Sequence, residues 1–394
     1  MSRILFTWEL GAGLGHLANI VPVANRLMEM GHEVHLALRD LSRIHSMLPH
    51  GRAHLWQAPN KSTRMSVELP PRTFGDILYN CGFGDLPELS GLTEAWRNLL
   101  TTIRPDVIVC DHSPSALLAS YAHPMRRVLL GTGFFCPLDG TPMQNLRPWN
   151  KCAPEELLIG ESRALANANM LLKQWGAQPL DRLSQLYAQS DDNLLVTFAE
   201  LDHYGARPGA TYYGGGTRVS GGAPVAWPDK PGKRVFAYLK DFTTIGSVLE
   251  LLADLRLPTV VVCDGINPQV QRRYAGSTVK CSNQRFNIEQ AAKECDLAIL
   301  NGNHGTTIAM LMRGKPGLHL PLHLEQTLFS QAVQRMGAGL MASPRKVGEI
   351  AFRLAELLNM PRFTEAAQMF AQRYRDFDEK QQVIRLAARI ASAV

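Results

Sequence analysis

Short apolar runs alternate with helix-period segments along almost the whole chain, and this alternation constrains the fold more than any other feature. Arg3 to Thr7 reads as a buried strand, and the loop Trp8-Glu-Leu-Gly-Ala-Gly-Leu-Gly-His16 leads into a helix with Ile20, Val23, Ala24 and Leu27 on its inner face. Gly31 closes that helix, and Glu33 to Leu38 forms the next strand. Strand, helix and strand in this order make a βαβ unit, which requires a parallel sheet. The pattern continues with a helix at 92–103, a strand at Asp106–Cys110, a helix from Ser115, a strand at Arg127–Leu130 and helices near 155–173 and 180–189. Asn60 to Asp85 has no steady period and reads as long loops over the sheet's carboxyl edge.

From Tyr204 to Lys233 the period gives way to a Gly/Pro-dense run, the mark of a domain boundary. Alternation then restarts: strand Val235–Leu239, helix Ile245–Leu255, strand Thr259–Cys263, helix Ile288–Lys293, strand Leu297–Leu300, a strand ending at Leu318–Pro321, a helix at Thr327–Met336 and an amphipathic helical tail from Val347. A length of 394 residues suits two domains. The expected architecture is α/β, with two Rossmann-like domains facing across a cleft. Their expected bounds are 1–205 and 233–375, with a linker at 206–232 and a C-terminal helix at 376–394.

Composition excludes several classes. The net charge of +6 comes without any block of like charges, which argues against nucleic acid as a partner and leaves room for anionic ligands or peripheral membrane contact. Met1-Ser-Arg-Ile reads as the start of a strand rather than a signal peptide, and no run of about 18 apolar residues occurs. The 7 cysteines are odd in number and lack C-x-x-C spacing, which favours a reducing, cytoplasmic setting. His32, His35, His50 and His54 have no supporting Cys or carboxylate and read as surface histidines, and Asp376-Phe-Asp378 as chance spacing in a charged helical tail. No metal is expected.

Two stretches could carry chemistry. In the second half, Leu297–Leu300 breaks into Asn301-Gly302-Asn303-His304-Gly305-Thr306-Thr307, a small-residue turn that restarts as a helix. Unpaired amides at such a helix start favour an anion, so the turn reads as a diphosphate seat or as an ordinary strand–helix connection. In the first half, His16 and Asp111 both lie at the carboxyl ends of strands in one sheet and can reach one crevice. An imidazole oriented by a carboxylate is a competent general base; His16 as a helix-start hydrogen bonder and Asp111 as an N-cap is the structural alternative. Gly11-x-Gly13-x-Gly15 imitates a dinucleotide fingerprint but is one residue short, although Asp40 lies where a ribose-binding acid would sit.

Taken together these motifs resemble a bacterial family 1-type, UDP-glycosyltransferase-like enzyme of GT-B fold. Gly13-Leu-Gly15-His16-Leu, followed by Pro22 and Ala24, resembles the family's N-terminal loop, whose His is the catalytic base. Pro105-Asp-Val-Ile-Val-Cys-Asp111 resembles the strand that supplies its Asp partner. Phe286-Asn-Ile288-Glu, Cys295-Asp-Leu, Asn301 to Thr307, Gly314-Lys-Pro316, Pro321 and Glu325-Gln326 together resemble the donor signature. The resemblance implies a C-terminal helix packed back on the first domain. It also implies an inverting, metal-independent transfer from a nucleotide-diphosphate sugar, with a UDP-sugar as the donor expected. Gly13 and Gly15 would line the loop, Phe286 and Ile288 would border the base, and Glu325 and Gln326 would contact the sugar. Lys240, just after a strand, would add positive charge near the phosphates. Here Asn301 stands where the family usually has His, with His304 three residues on, so either could meet the diphosphate. Glu325 replaces a more frequent Asp, and the plant members' base-stacking Trp is absent.

The acceptor, whether small molecule, lipid or peptide, would be held by first-domain loops around Trp8, Glu9, Asn60–Asp85 and Phe134–Trp149. Other classes compatible with the motifs are a non-catalytic sugar-nucleotide-binding protein, a nucleotide-sugar epimerase or hydrolase, and a nicotinamide-dependent oxidoreductase.

Overall fold

A computed structural model describes residues 1–11, 13–42, 44–48, 53–61, 67–216, 221–274 and 277–392. It has two compact units, one made of 1–198, 207–214 and 379–394, the other of 199–206 and 215–378. Parts of the expected 60–85 loop and of the linker, and His50, lie outside the described residues.

The first unit holds a sheet of six parallel strands: β1 (Arg3–Trp8), β2 (Glu33–Leu38), β3 (His54–Gln57), β4 (Val107–Cys110), β5 (Arg126–Gly131) and β6 (Asp192–Leu195). Their spatial order is β3-β2-β1-β4-β5-β6. The second unit repeats the plan with β7 (Val235–Lys240), β8 (Thr259–Asp264), β9 (Val279–Ser282), β10 (Leu297–Leu300), β11 (Gly317–His319) and β12 (Gly339–Met341), ordered β12-β11-β10-β7-β8-β9. In each sheet the chain runs outward from the middle on one side, then returns to the middle and runs out on the other. Successive loops therefore part at β1/β4 and at β7/β10. Those are the switch points where open parallel sheets leave a crevice at their carboxyl edge.

The Gly15–Glu29 helix covers the first sheet because Leu17, Ile20, Val21, Ala24 and Leu27 form one buried stripe. The terminal helix Glu379–Ala391 belongs to this unit and adds Leu386, Ala387 and Ile390 to the same core. Arg126 anchors it by donating to the Ile390 carbonyl at 2.9 Å. In the second unit, helices Ile245–Asp254 and Val347–Asn359 bury Val248, Leu252, Ile350 and Leu354 against β7, β8 and β11. No helix among the described residues is long and apolar enough to cross a membrane.

The alternation was legible at the centre of each sheet and not at its edges. β3, β6, β9 and β12, absent from the sequence reading, are the outermost strands of the two sheets. The expected loop at 60–85 contains a helix at Phe74–Leu78, capped by Thr73 and Asp76, and the Leu86–Ile103 helix starts earlier than expected, capped by Asp85. Asp376 and Asp378 fall between two helices rather than within one. His35, expected at the surface, is buried, because β2 is covered on its outer side by β3.

Glu33, His35 and His54 bring ligand atoms within 4.8 Å of one another. The hydrogen bonding there argues for a structural role. Trp56 Nε1–H donates to His35 Nδ1 at 3.0 Å, so the neutral ring carries its proton on Nε2, which meets Glu33 at 2.8 Å. That nitrogen has no lone pair for a cation unless the Trp56 bond is given up. Arg3 also reaches Glu33, and the network fastens the edge strand to β1 and β2.

His319, on β11, is fully buried with both ring nitrogens unpartnered, and burial pushes its pKa down to about 4. Its unfolded value is near 6.5, so between those values the unfolded chain binds the extra proton. Its contribution to stability is therefore complete above pH 6.5 and lost as the pH falls toward 4. The loss is on the order of 3 kcal/mol. A His319→Leu variant is expected to show a flatter stability profile over that window in urea titrations at stepped pH.

Candidate active site

Both expected stretches lie at switch points. The loop after β1 and the loop after β4 bring His16 and Asp111 together: Nδ1 lies 3.0 Å from Asp111 Oδ1, with both side chains buried. An ionised carboxylate only accepts, so Nδ1 carries the proton and Nε2 keeps its lone pair. The Trp8 ring stacks on His16 at 4.9 Å, and Phe135 lies 5.2 Å away on a tilted plane. Trp8 is fully engaged as this platform, since its Nε1–H donates to the Leu10 carbonyl at 2.7 Å.

Gly11 has a left-handed φ of +84°, and a Cβ there would stand 2.7 Å from His16 Nε2. The loop thus needs glycine for its backbone and for access to His16 Nε2. Gly11→Ala is expected to cost about 1–2 kcal/mol of stability through its strained left-handed backbone and to crowd that nitrogen; urea titration would measure the stability loss. Gly13 has open space at its Cβ position, and Gly15 is the first residue of the helix.

Glu9, suggested for the acceptor pocket, instead turns inward. It accepts from the Ser115 amide at 2.8 Å, the Ser115 hydroxyl at 2.6 Å and Trp96 Nε1 at 2.8 Å. It thereby ties the loop after β1 to the helix that follows Asp111. Burial raises its pKa to about 7 against the pull of those donors. A raised acid pKa means the folded state holds the proton longer, so this group's contribution is lost as the pH rises from 4.5 through about 7, opposite in sign to His319.

In the second unit, β10 ends at Leu300 and the helix His304–Leu311 begins after Gly302 and Asn303. Asn301 is fully buried; its Oδ1 accepts from the Lys240 amide at 2.7 Å and its Nδ2 donates to the Leu320 carbonyl at 2.8 Å. This residue ties the carboxyl ends of β7, β10 and β11 together. His304, Gly305 and Thr306 are half-buried in the first helical turn, and the His304 ring leans on Phe329 at 5.1 Å. Thr307 is buried with its hydroxyl unpartnered.

The Leu324–Arg335 helix braces this turn. Gln326 Oε1 accepts from the Leu322 amide at 2.8 Å while its Nε2 donates to Asn303 Oδ1 at 3.3 Å. Glu325 is half-buried, 3.9 Å from His323. Lys240 is exposed at the end of β7, and its charge, after burial, helps push the His323 pKa down, so the lysine lies on the same rim. Phe286 and Ile288 flank Asn287, which caps the Ile288–Glu294 helix, and both pack half-buried against that face of the sheet. Sequence reasoning missed Ser330 and Phe329, and it named Gly11 only within the imitated dinucleotide fingerprint and Phe135 only within the 134–149 acceptor stretch. Phe135 and Phe329 are far along the chain from the rings they touch, His16 and His304, and no local pattern links them.

No protein-family model matches the chain. A glycosyltransferase of Mycobacterium tuberculosis described as "PGL/p-HBAD biosynthesis glycosyltransferase" is 25% identical over 94% of this chain and 88% of its own length. Among solved structures, the glycosyltransferase VinC in complex with DTDP aligns over 100% of both chains at 17% identity with a TM-score of 0.67. The spinosyn rhamnosyltransferase SpnG aligns over 99% of this chain and 100% of its own, at 17% identity and a TM-score of 0.64. The fold is that of GT-B glycosyltransferases.

Proposed function

We propose that the protein is a glycosyltransferase that moves a sugar from a nucleoside-diphosphate sugar to a hydroxyl of an acceptor, with inversion at the anomeric carbon. The contact between His16 Nδ1 and Asp111 Oδ1 carries this reading, because it leaves an oriented basic nitrogen at the crevice of the first sheet. The relative from Mycobacterium tuberculosis and VinC, whose names state glycosyl transfer, support the reaction class. The acceptor hydroxyl gives its proton to His16 Nε2 as its oxygen bonds to the anomeric carbon. The bond from that carbon to the diphosphate oxygen breaks, and its electron pair leaves with the nucleoside diphosphate. Asp111 holds the imidazole's tautomer and balances the imidazolium that forms.

Amides of Gly305 and Thr306, with the Thr307 hydroxyl, the His304 side chain and the Lys240 charge, offset the negative charge on the departing diphosphate in this reading, so the transfer needs no metal. Gly13 and Gly15 shape the base's loop, Phe286 and Ile288 border the nucleobase, and Glu325 and Gln326 meet the sugar. The DTDP complex of VinC supports a dTDP-sugar as well as a UDP-sugar as the donor in this reading. A thermal-shift panel of UDP-, dTDP- and GDP-sugars tests the donor half. A ligand at about 100 times its Kd should add about 2.7 kcal/mol to folding and raise the melting temperature measurably. No shift with any sugar nucleotide would sink the reading.

A further inference from the structure

His112, next to Asp111 at the end of β4, has no role in the mechanism above. Its backbone is left-handed, with φ of +49°, a conformation that asparagine or glycine adopts more easily. The turn is held by the Leu10 amide, which donates to the His112 carbonyl at 3.1 Å. The ring stacks on Phe135 at 4.1 Å, and its centre lies 6.2 Å from that of His16. Both ring nitrogens are buried without a hydrogen-bond partner. The Leu10 carbonyl comes close enough to oppose part of the burial effect, without hydrogen-bond geometry.

Packing alone does not call for an imidazole, and the left-handed turn admits asparagine as well as histidine. Phenylalanine would fill the stack without two unmet polar atoms, and asparagine would suit the turn. Unmet buried polar groups at a functional crevice point to a partner that arrives with the ligand. The position of the nitrogens narrows that partner down. The point where a Gly11 side chain would begin is 2.7 Å from His16 Nε2 and 3.5 Å from His112 Nδ1, so both nitrogens border one small space.

We propose that His112 is a second hydrogen-bonding group for the acceptor's attacking oxygen. The oxygen directs its O–H at His16 Nε2 while the His112 ring holds it from the side, leaving a lone pair for the anomeric carbon. Burial, and then the charge of His16, keep the His112 pKa well below the usual histidine value, so positive charge develops on His16 alone. The inference rests on His16 acting as base in the transfer proposed above.

The test compares wild type, His112→Phe and His112→Asn, with UDP-glucose and dTDP-glucose as donors and 4-nitrophenol or water as acceptor. Nucleoside-diphosphate release gives the rate, calorimetry the donor Kd, and thermal melting the stability. His112→Phe is expected to lose about 10- to 100-fold in kcat, with donor Kd unchanged and melting temperature equal or higher. His112→Asn should regain part of the rate, since it restores a hydrogen-bonding side chain in a left-handed turn. A phenylalanine variant as fast as wild type would overturn the proposal. So would a slow one that also melts lower and is not rescued by asparagine, which would assign His112 to packing. If wild type binds no donor and releases no nucleotide, the glycosyltransferase reading fails first and takes this one with it.

Discussion

Replacing His16 by alanine is expected to slow sugar transfer by roughly 10²–10⁴-fold, with sugar-nucleotide affinity unchanged. The rate effect follows from the hydrogen bonding: Nδ1 is committed to Asp111, so Nε2 is the only ring nitrogen left to take a proton. The affinity expectation follows from the fold, since the candidate phosphate seat belongs to the second unit and the base to the first. A stability effect has to be separated from the catalytic one. Asp111 Oδ2 already lacks a partner, so alanine at 16 would leave a buried carboxylate with neither oxygen paired. That costs about 1–3 kcal/mol, and the melting temperature should fall. The double variant His16→Ala with Asp111→Ala removes the stranded carboxylate and should recover stability without recovering rate. Asp111→Asn makes the complementary case. An amide can donate to Nδ1, which would shift the ring proton to Nε2 and block the base while barely changing shape. A non-catalytic sugar-nucleotide-binding protein predicts instead that wild type has no transfer to lose. A His16→Ala enzyme that still transfers at the wild-type rate would remove the dyad from the mechanism.

What the sequence made legible follows from how strongly each position is buried. Central strands such as Leu297–Leu300 and Val107–Cys110 are covered on both faces and read as unbroken apolar runs. Edge strands need less. Asp192-Asn-Leu-Leu and His54-Leu-Trp-Gln are the outermost strands of their sheet and keep polar residues, so no run marks them. The same logic applies at the site. His16 and Asp111 stood out because each follows a legible central strand, and two such strands that pair must share an edge. The second-unit turn stood out for its small residues. What could not be read was which polar groups are spent on structure. Asn301 looked as eligible as His304 for the diphosphate until its amide was found holding three strand ends together. Glu9 looked like an acceptor-loop residue until it was found capping the helix after Asp111. These are long-range hydrogen bonds between residues tens of positions apart, and no local period encodes them.

Gly302 should tolerate no side chain. Its φ is +83°, and a Cβ there would stand 2.7 Å from Ser330 Oγ and 2.9 Å from the Gln326 carbonyl. The carbonyl belongs to the Leu324–Arg335 helix and already accepts from Ser330 Oγ at 2.6 Å, so it cannot yield without moving the helix. Gly302→Ala therefore combines a strained left-handed backbone, about 1–2 kcal/mol, with an overlap of about 1–3 kcal/mol. Relief can come only from lifting the turn, and the turn carries Asn303 and the first helical residues His304 to Thr307. A displacement of about 1 Å there would weaken preorganised contacts to a diphosphate by about 10²-fold. Calorimetry with UDP and dTDP should show that loss together with a lower melting temperature. Gly13→Ala serves as the control: φ is similarly positive at +96°, but nothing lies within 4 Å of its Cβ position, and it sits in the other unit. It should bear the backbone strain alone and leave nucleotide affinity unchanged. If Gly302→Ala binds both nucleotides as tightly as wild type, the turn after β10 does not hold the diphosphate, whatever the first unit does with His16.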